Sequence, residues 1–382
     1  MALAVKDLIG TKKTLVCVGP GGVGKTTTAA AMGVIGARAG LRTLVCTIDP
    51  APRLADALGI ASLSGEPTAI HADAAALLGI ALPGTLHATR VEPEAAFAQL
   101  VNEQVADPEL RKRIFANSLY RHVTTTLTGS QEYAATLALY HLSRSGKFDL
   151  IVLDTPPTTN ALEFLETPER LAAAISSPAL QWFARPDPST SRFSLKRLGS
   201  GGALMIRRAG RLVGSQFLDD LGGFLLDIRD VLGGFLTRAR EIEALLRQPD
   251  VAFMLVLSPE TAAVNEALDF TGKLRERGMP LSMYIANRTV MEPMRWSVEE
   301  LRAQLKALPL LHDMADDERE TALRSLGSLH AYLTNIAQAQ KRELERLARE
   351  SPGLDIVTVP LLPHDVSNLE SLQAIANRLE NA

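Results

Sequence analysis

Cysteine is scarce in this chain of 382 residues: Cys17 and Cys46 are the only two, both lie in apolar runs, and no C-x-x-C occurs. A disulfide framework and a thiolate zinc site of ordinary spacing are thereby excluded. Buried, reduced thiols in a cytoplasmic protein are the expectation, and no zinc. Long apolar stretches are missing too. No run of eighteen or more uninterrupted apolar residues occurs, so nothing reads as a membrane span, and the opening residues lack the apolar core of a signal peptide. Charge of either sign is nearly balanced, with a formal net charge of −3 and a pI near 6.2. That balance exerts no global pull on nucleic acid, and no stable nucleic-acid binding is expected.

What is present is a phosphate-binding signature. Residues 15–28 read Leu-Val-Cys-Val-Gly-Pro-Gly-Gly-Val-Gly-Lys-Thr-Thr-Thr, and Gly19, Gly24, Lys25 and Thr26 fit G-x-x-x-x-G-K-[ST]. Glycines let the backbone curl so that the N–H groups of Gly21, Gly22, Val23, Gly24, Lys25, Thr26 and Thr27 can face an anion. Lys25 can reach the β- and γ-phosphates, and the Thr26 hydroxyl can serve Mg²⁺. A plain glycine-rich turn is the bland alternative. The apolar strand at 15–18 and the helical pattern at 27–38 supply the context that the motif requires.

Arg42–Ile48 predicts a second strand, and the β-α-β alternation implies a parallel, doubly wound sheet. That strand ends in Asp49-Pro50-Ala51-Pro52, which puts a carboxylate at the carboxyl edge of the sheet, where ligands of such sheets bind. Turn residues mark 61–90 as surface connections, with a short strand near 86–91. Residues 93–144 read as helical with breaks at Pro108 and Gly129. Lys147–Asp154 predicts a buried strand ending in Asp154, a position suited to a Mg²⁺-water ligand opposite the phosphate loop. Alone, either aspartate could be a turn former.

Residues 176–249 leave the alternation. No acidic residue lies between Asp187 and Asp219, whereas six basic residues do; a solvated loop and a contact to an acidic partner or membrane surface are both open readings. Next, Leu221-Gly222-Gly223-Phe224-Leu225 is echoed eleven residues later by Leu232-Gly233-Gly234-Phe235-Leu236. Eleven residues are close to three helical turns, so Leu221, Phe224, Leu225, Ile228, Leu232 and Phe235 share one stripe. The stripe is either ordinary core or a groove for an apolar client segment. The alternation then resumes with a strand at 251–257, a helix at 260–277, a strand at 281–286 reaching Asn287, a long amphipathic helix at 316–350, a strand at 354–360 and a closing helix at 368–379. Asn287 could hydrogen-bond a purine edge or simply be a turn residue.

The phosphate loop resembles the deviant form found in the partition, nitrogenase-iron-protein and arsenite-pump ATPases. Asp49–Leu58 resembles switch I of the arsenite-pump and tail-anchored-protein-targeting branch, and Asp154–Leu165 with Glu166-Thr167-Pro168 resembles its switch II. Val91-Glu92-Pro93-Glu94, Asn287 and Pro360–Val366 match in order. The resemblance implies an α/β fold with a doubly wound, mostly parallel sheet of the P-loop NTPase type, a core of residues 1–175 and 250–382, and an inserted helical subdomain at 176–249. It implies ATP, ADP and Mg²⁺ as ligands, with Lys25 and Asp49 catalytic, Thr26, Asp49 and Asp154 serving the metal, and Asn287, Pro360, Leu361 and Pro363 lining the adenine pocket. It further implies a homodimer, or a heterodimer with a paralogue, that couples hydrolysis to capture of a hydrophobic membrane-protein client. Three departures stand out. Pro20 occupies the place of a Lys that reaches across the family's dimer, Pro52 replaces a switch I His, and the cysteines used for metalloid or zinc are missing. Pro20 leaves open a switch subunit of low turnover that works with a paralogue, the missing cysteines disfavour arsenite pumping, and the switch I resemblance disfavours partition-type cargo positioning.

Overall fold

The computed structural model describes residues 5–49, 51–70, 82–117, 120, 130–155, 227, 234, 237–293, 299, 300, 303, 304, 307, 315–366 and 368–381. Eight described strands form one sheet: β1 (Thr14–Val18), β2 (Arg42–Thr47), β3 (Thr68–Ala69), β4 (Thr85–Arg90), β5 (Leu150–Asp154), β6 (Val251–Leu257), β7 (Leu281–Thr289) and β8 (Asp355–Pro360). Their order is β3-β4-β2-β5-β1-β6-β7-β8, parallel throughout except for the antiparallel β3–β4 pair. The central strands are continuous apolar runs, as a sheet covered on both faces demands, and every residue of β1, β5 and β6 is buried.

The two-residue strand period sorts those side chains into two cores. Val16, Val18, Ile151, Leu153, Phe253 and Leu255 face α4 (Pro93–Gln104), α6 (Ser130–Arg144), the helical residues 237–246 (α7) and α8 (Thr261–Glu276). Leu15, Cys17, Val45, Val152, Met254 and Val256 face α1 (Val5–Thr11), α2 (Lys25–Arg38), α3 (Arg53–Leu58) and α10 (Leu369–Glu380). Two further helices are α5 (Pro108–Ala116) and α9 (Asp316–Glu350). Local chemistry sets several ends. Asp107 accepts from the Glu109 N–H at 2.9 Å with Pro108 in the first turn of α5, and Asn368 caps α10 by accepting from Ser371 N–H at 2.9 Å. α2 lies close on the sheet because a Cβ at Gly33 would collide with Val45.

The expected alternation is present, with two differences. β7 runs past residue 286 to Thr289, because beyond a register shift it pairs again with Pro360 of β8. β3 and α1 had no counterpart in the sequence pattern, being too short to show a period. Of the segment 176–249, Asp227, Gly234 and residues 237–249 are described. Arg113 of α5 lies 3.3 Å from Asp227, Gly234 lies against Gln104, and Ile242 and Leu246 are buried in the first core. The proposed client residues Leu221, Phe224, Leu225, Ile228, Leu232 and Phe235 lie outside the described residues, as do all but the first two residues of the 154–165 segment.

Candidate functional site

β1 lies at the centre of the sheet between β5 and β6, with the next strand in sequence on one side and the later strands on the other. A crevice at the carboxyl edge follows from that reversal of direction. The loop after β1 fills it. Gly19 has φ 144° and Gly24 φ 96°, backbone that side-chain-bearing residues rarely adopt. A Cβ on Gly19 would strike the Val256 carbonyl, and one on Gly24 would strike the Asn287 amide. At Gly19 and Gly24 the loop thus lies against the carboxyl ends of β6 and β7 with room for hydrogen atoms only.

Lys25 is buried, and its ammonium donates to the carbonyls of Gly19 at 2.8 Å and Pro20 at 2.7 Å. Burial lowers its pKa most, against the opposing pull of Asp154, Cys17 and Asp49. Two of its three N–H groups hold the loop, which leaves one for an anion. The Thr26 hydroxyl donates to Asp154 Oδ2 at 2.8 Å, and the Thr47 hydroxyl donates to the same oxygen at 2.9 Å. Asp154 is wholly buried and its carboxyl is pushed up to about 6, desolvation outweighing those two hydrogen bonds and Lys25. Its Oδ1 has no hydrogen-bond partner among the described residues. A hydroxyl that donates to a carboxylate keeps its lone pairs outward, and hard oxygen donors of this kind suit Mg²⁺. The orphaned Oδ1 and the Thr26 oxygen therefore fit the ion that the resemblance implies. Among the described residues no three His, Cys, Asp or Glu side chains form a metal-holding group, so any such ion would be completed by phosphate and water.

Asp49 follows β2 by two residues. Its N–H donates to Thr47 Oγ1 at 3.2 Å, its Oδ1 accepts from Ala51 N–H at 2.9 Å, and its Oδ2 pairs with Arg53 Nη1 at 3.2 Å. Thr47 thus links Asp49 to Asp154. A cleft of about 560 Å³ opens over this group, lined by Gly22, Gly24, Lys25, Thr26, Thr27, Asp49, Arg53, Asp56, Thr155, Arg288, Asp365 and Val366. Its polar lining and size suit a nucleotide.

A family model described as an anion-transporting ATPase matches residues 12–179. Over residues 12–179 the chain is similar to the ArsA-like ATPases. The chain is 25% identical over 284 residues to a Prosthecochloris vibrioformis protein named as a putative arsenical pump-driving ATPase, covering 72% of this chain and 61% of that one. An uncharacterized protein of Streptomyces coelicolor is 28% identical over 286 residues, 73% of this chain and 63% of its own length. ATPase get3 of Aspergillus terreus is 23% identical over 365 residues, 94% of this chain and 88% of its own. The chain therefore spans about three-fifths of the length of the first two relatives.

Lys25, Thr26, Asp49 and Asp154 converge from the carboxyl ends of β1, β2 and β5. Gly21 is exposed and Thr27 lines the cleft. Asn287 stands elsewhere than at an open rim: it is buried, its amide donates to the Val23 carbonyl at 2.8 Å, and its Oδ1 accepts from Arg288 N–H at 2.9 Å. Its place is beneath the phosphate loop. Of the final loop, Asp365 and Val366 line the cleft whereas Pro360, Leu361 and Pro363 do not, because the Leu361 N–H bonds to Thr289 O at 2.9 Å and keeps the loop's first residues along β7. Sequence reasoning assigned no role to Thr47, Arg53, Asp56 or Arg288. Arg288 has φ 60°, the one positive value at a described residue other than glycine, and no local pattern announces it. Cys17 and Cys46 are buried; burial pushes both thiols up, Cys46 to about 12, so neither is a poised nucleophile or ligand.

Proposed function

We propose that this chain is a Mg²⁺-dependent ATPase that binds and hydrolyses ATP in the cleft above β1, β2 and β5. The observation that carries the reading is the single cluster in which Thr26 donates to Asp154 beside Lys25, in a loop where Gly19 and Gly24 cannot be replaced without collision. The loop N–H groups and the free N–H of Lys25 would hold the phosphate chain, with the opening of α2 adding its positive end. Thr26 and Asp154 would hold Mg²⁺, which when bound neutralises charge building on the phosphates. Asp49, fixed by the Ala51 N–H and tied to Asp154 through Thr47, would orient the attacking water. Asn287 would act indirectly, by keeping Val23 and Gly24 in place. The Mg²⁺-ATPase rate of the purified protein, measured beside Asp49→Asn and Lys25→Ala, tests this. Turnover lost in Asp49→Asn with ATP binding retained, and binding lost in Lys25→Ala, support it; a wild type that binds no ATP ends it.

Pro20 favours a second reading. It lends only its carbonyl, to Lys25, and offers no charge to a second subunit. A protein that binds ATP tightly yet turns over no faster than Asp49→Asn would be a switch subunit that needs a different partner.

The use of the ATPase is proposed to be capture of an apolar protein segment in a dimer. Supporting this is the path of the chain. It leaves the cleft at Thr155, passes through the residues that carry the Phe224 and Phe235 stripe, and returns by α7, which Arg238 ties to Glu103 of α4 at 2.7 Å. Among the described residues no helix is long and apolar enough to cross a membrane. Nucleotide-dependent binding of a synthetic apolar helix should vanish in Phe224→Asp with Phe235→Asp while ATP binding persists. Unchanged capture by that variant removes the client reading.

A further inference from the structure

The cleft holds a cation that the phosphate-loop motif does not account for. Arg53, the first residue of α3, lines the same wall as Lys25, Thr26, Thr27 and Asp49. Its Nη1 lies 3.2 Å from Asp49 Oδ2, the only ion pair it makes among the described residues. The two partners differ: the Arg53 side chain is 63% exposed and that of Asp49 14%. Asp49 is further held by Ala51 and Thr47, whereas nothing else among the described residues holds the guanidinium. Arg53 also lies near enough to Lys25 to lower its pKa, so two positive groups border one volume. Lys25 is fixed by two loop carbonyls and Thr26 by Asp154. Among the described residues, Arg53 is therefore the positive group beside Asp49 that only one contact holds.

We infer that Arg53 is a catalytic residue of the hydrolysis, leaving Asp49 when ATP enters and gripping the terminal phosphoryl group. The exchange is favourable in kind. An ion pair whose guanidinium stays largely in solvent contributes little, while guanidinium and phosphate meet in charge-assisted, forked hydrogen bonds. The exchange also frees Asp49 Oδ2 for the water. The water oxygen then bonds to the γ-phosphorus as the bond from that phosphorus to the β–γ bridging oxygen breaks. ADP keeps the electron pair, and the water proton passes to Asp49 and on to solvent. Arg53 stabilises the charge that spreads over the transferring group, supplied from the same chain.

The inference rests on the ATPase reading, and the experiment separates the two. Wild type, Arg53→Ala and Arg53→Lys, each checked for fold by circular dichroism, are compared for kcat and KM with Mg·ATP and, by calorimetry, for ATP and ADP affinity. Arg53→Ala should lose about 100-fold or more in kcat, keep ADP affinity within about threefold, and lose the preference for ATP over ADP; Arg53→Lys should fall between. An Arg53→Ala protein with wild-type kcat and wild-type preference overturns the inference and leaves the ATPase reading standing. So does a faster Arg53→Ala, which would make Arg53 only a brake on Asp49, and so does an equal loss of ATP and ADP binding, which would make it only structural. If wild type binds ATP without turnover, the ATPase reading fails, and the ATP preference in wild type against Arg53→Ala still decides whether Arg53 meets the terminal phosphate. Wild type that binds neither nucleotide overturns both.

Discussion

Asn287 and Val23 lie 264 positions apart, yet the Asn287 amide donates a buried 2.8 Å hydrogen bond to the Val23 carbonyl. The phosphate loop is therefore held by the far end of β7 as well as by its own strand. Asn287→Ala leaves that carbonyl unsatisfied, at a cost of about 1–3 kcal/mol, and lets Val23 and Gly24 relax. ATP affinity should fall roughly tenfold or more, since one such bond is comparable to a tenfold change. Asn287→Asp should be no better, because a carboxylate cannot donate. Isothermal titration with Mg·ATP checks both; wild-type affinity in Asn287→Ala would show the tether to be idle.

Gly24 and Gly40 make a matched pair. Both have positive φ, 96° and 86°, but a Cβ on Gly24 would strike Asn287 whereas Gly40 has open space around it. Gly40→Ala should cost about 1 kcal/mol of backbone strain and leave ATP binding intact. Gly24→Ala should add the collision and abolish binding. Comparing melting temperature with ATP titration separates strain from displacement of the loop.

Asp154 has a folded pKa near 6 against an ordinary value of 3.8. The folded state thus holds the proton more firmly than the unfolded chain. The sign follows: this group's contribution to stability is fully present below about pH 4 and is lost as pH rises through 6. Asp154→Asn removes that loss. In EDTA, its melting temperature should exceed wild type at pH 7.5, with the gap closing towards pH 4, while Mg²⁺-dependent ATP binding is lost. A gap that widened on acidification would contradict the burial-driven shift.

Arg238 is nearly enclosed. It bonds Glu103 and Glu241, and its guanidinium lies 4.2 Å from the centroid of the Tyr140 ring. Arg238→Ala removes two charge-assisted contacts and a cation–π contact, a loss of about 2–3 kcal/mol. Urea unfolding should register it, and Arg238→Lys should recover only part, since the forked geometry is gone. ATP binding at the opposite edge of the sheet should stay within about twofold, because sites this far apart without shared partners act nearly independently.

Where signals were local, the sequence was legible. The predicted bounds of α9, 316–350, are those observed, since its apolar period continues without a proline. The glycine loop, Asp49 and Asp154 were legible because each ends an apolar run at the strands' carboxyl edge. Less visible were relationships created by strand order. Thr47 meets Asp154 because β2 pairs with β5, and Asn287 meets Val23 because β6 lies between β1 and β7. The Arg53 pairing with Asp49 was available from its four-residue spacing, but Pro50 and Pro52 obscured where α3 begins. Arg288 stayed hidden because its backbone angle is imposed from both sides: Asn287 Oδ1 takes its N–H, and Gln340 of α9 accepts from Val290 N–H at 2.7 Å.

The tether from β7 also orders events during synthesis. A ribosome emits the phosphate loop early, but its brace arrives only with residue 287, after more than two hundred further residues have emerged. A nascent chain halted before that point would carry the complete motif and no anchored anion cradle. Acquisition of nucleotide affinity thus becomes a late timestamp on folding, marking closure of the sheet across its longest sequence gap rather than completion of its first β-α-β unit.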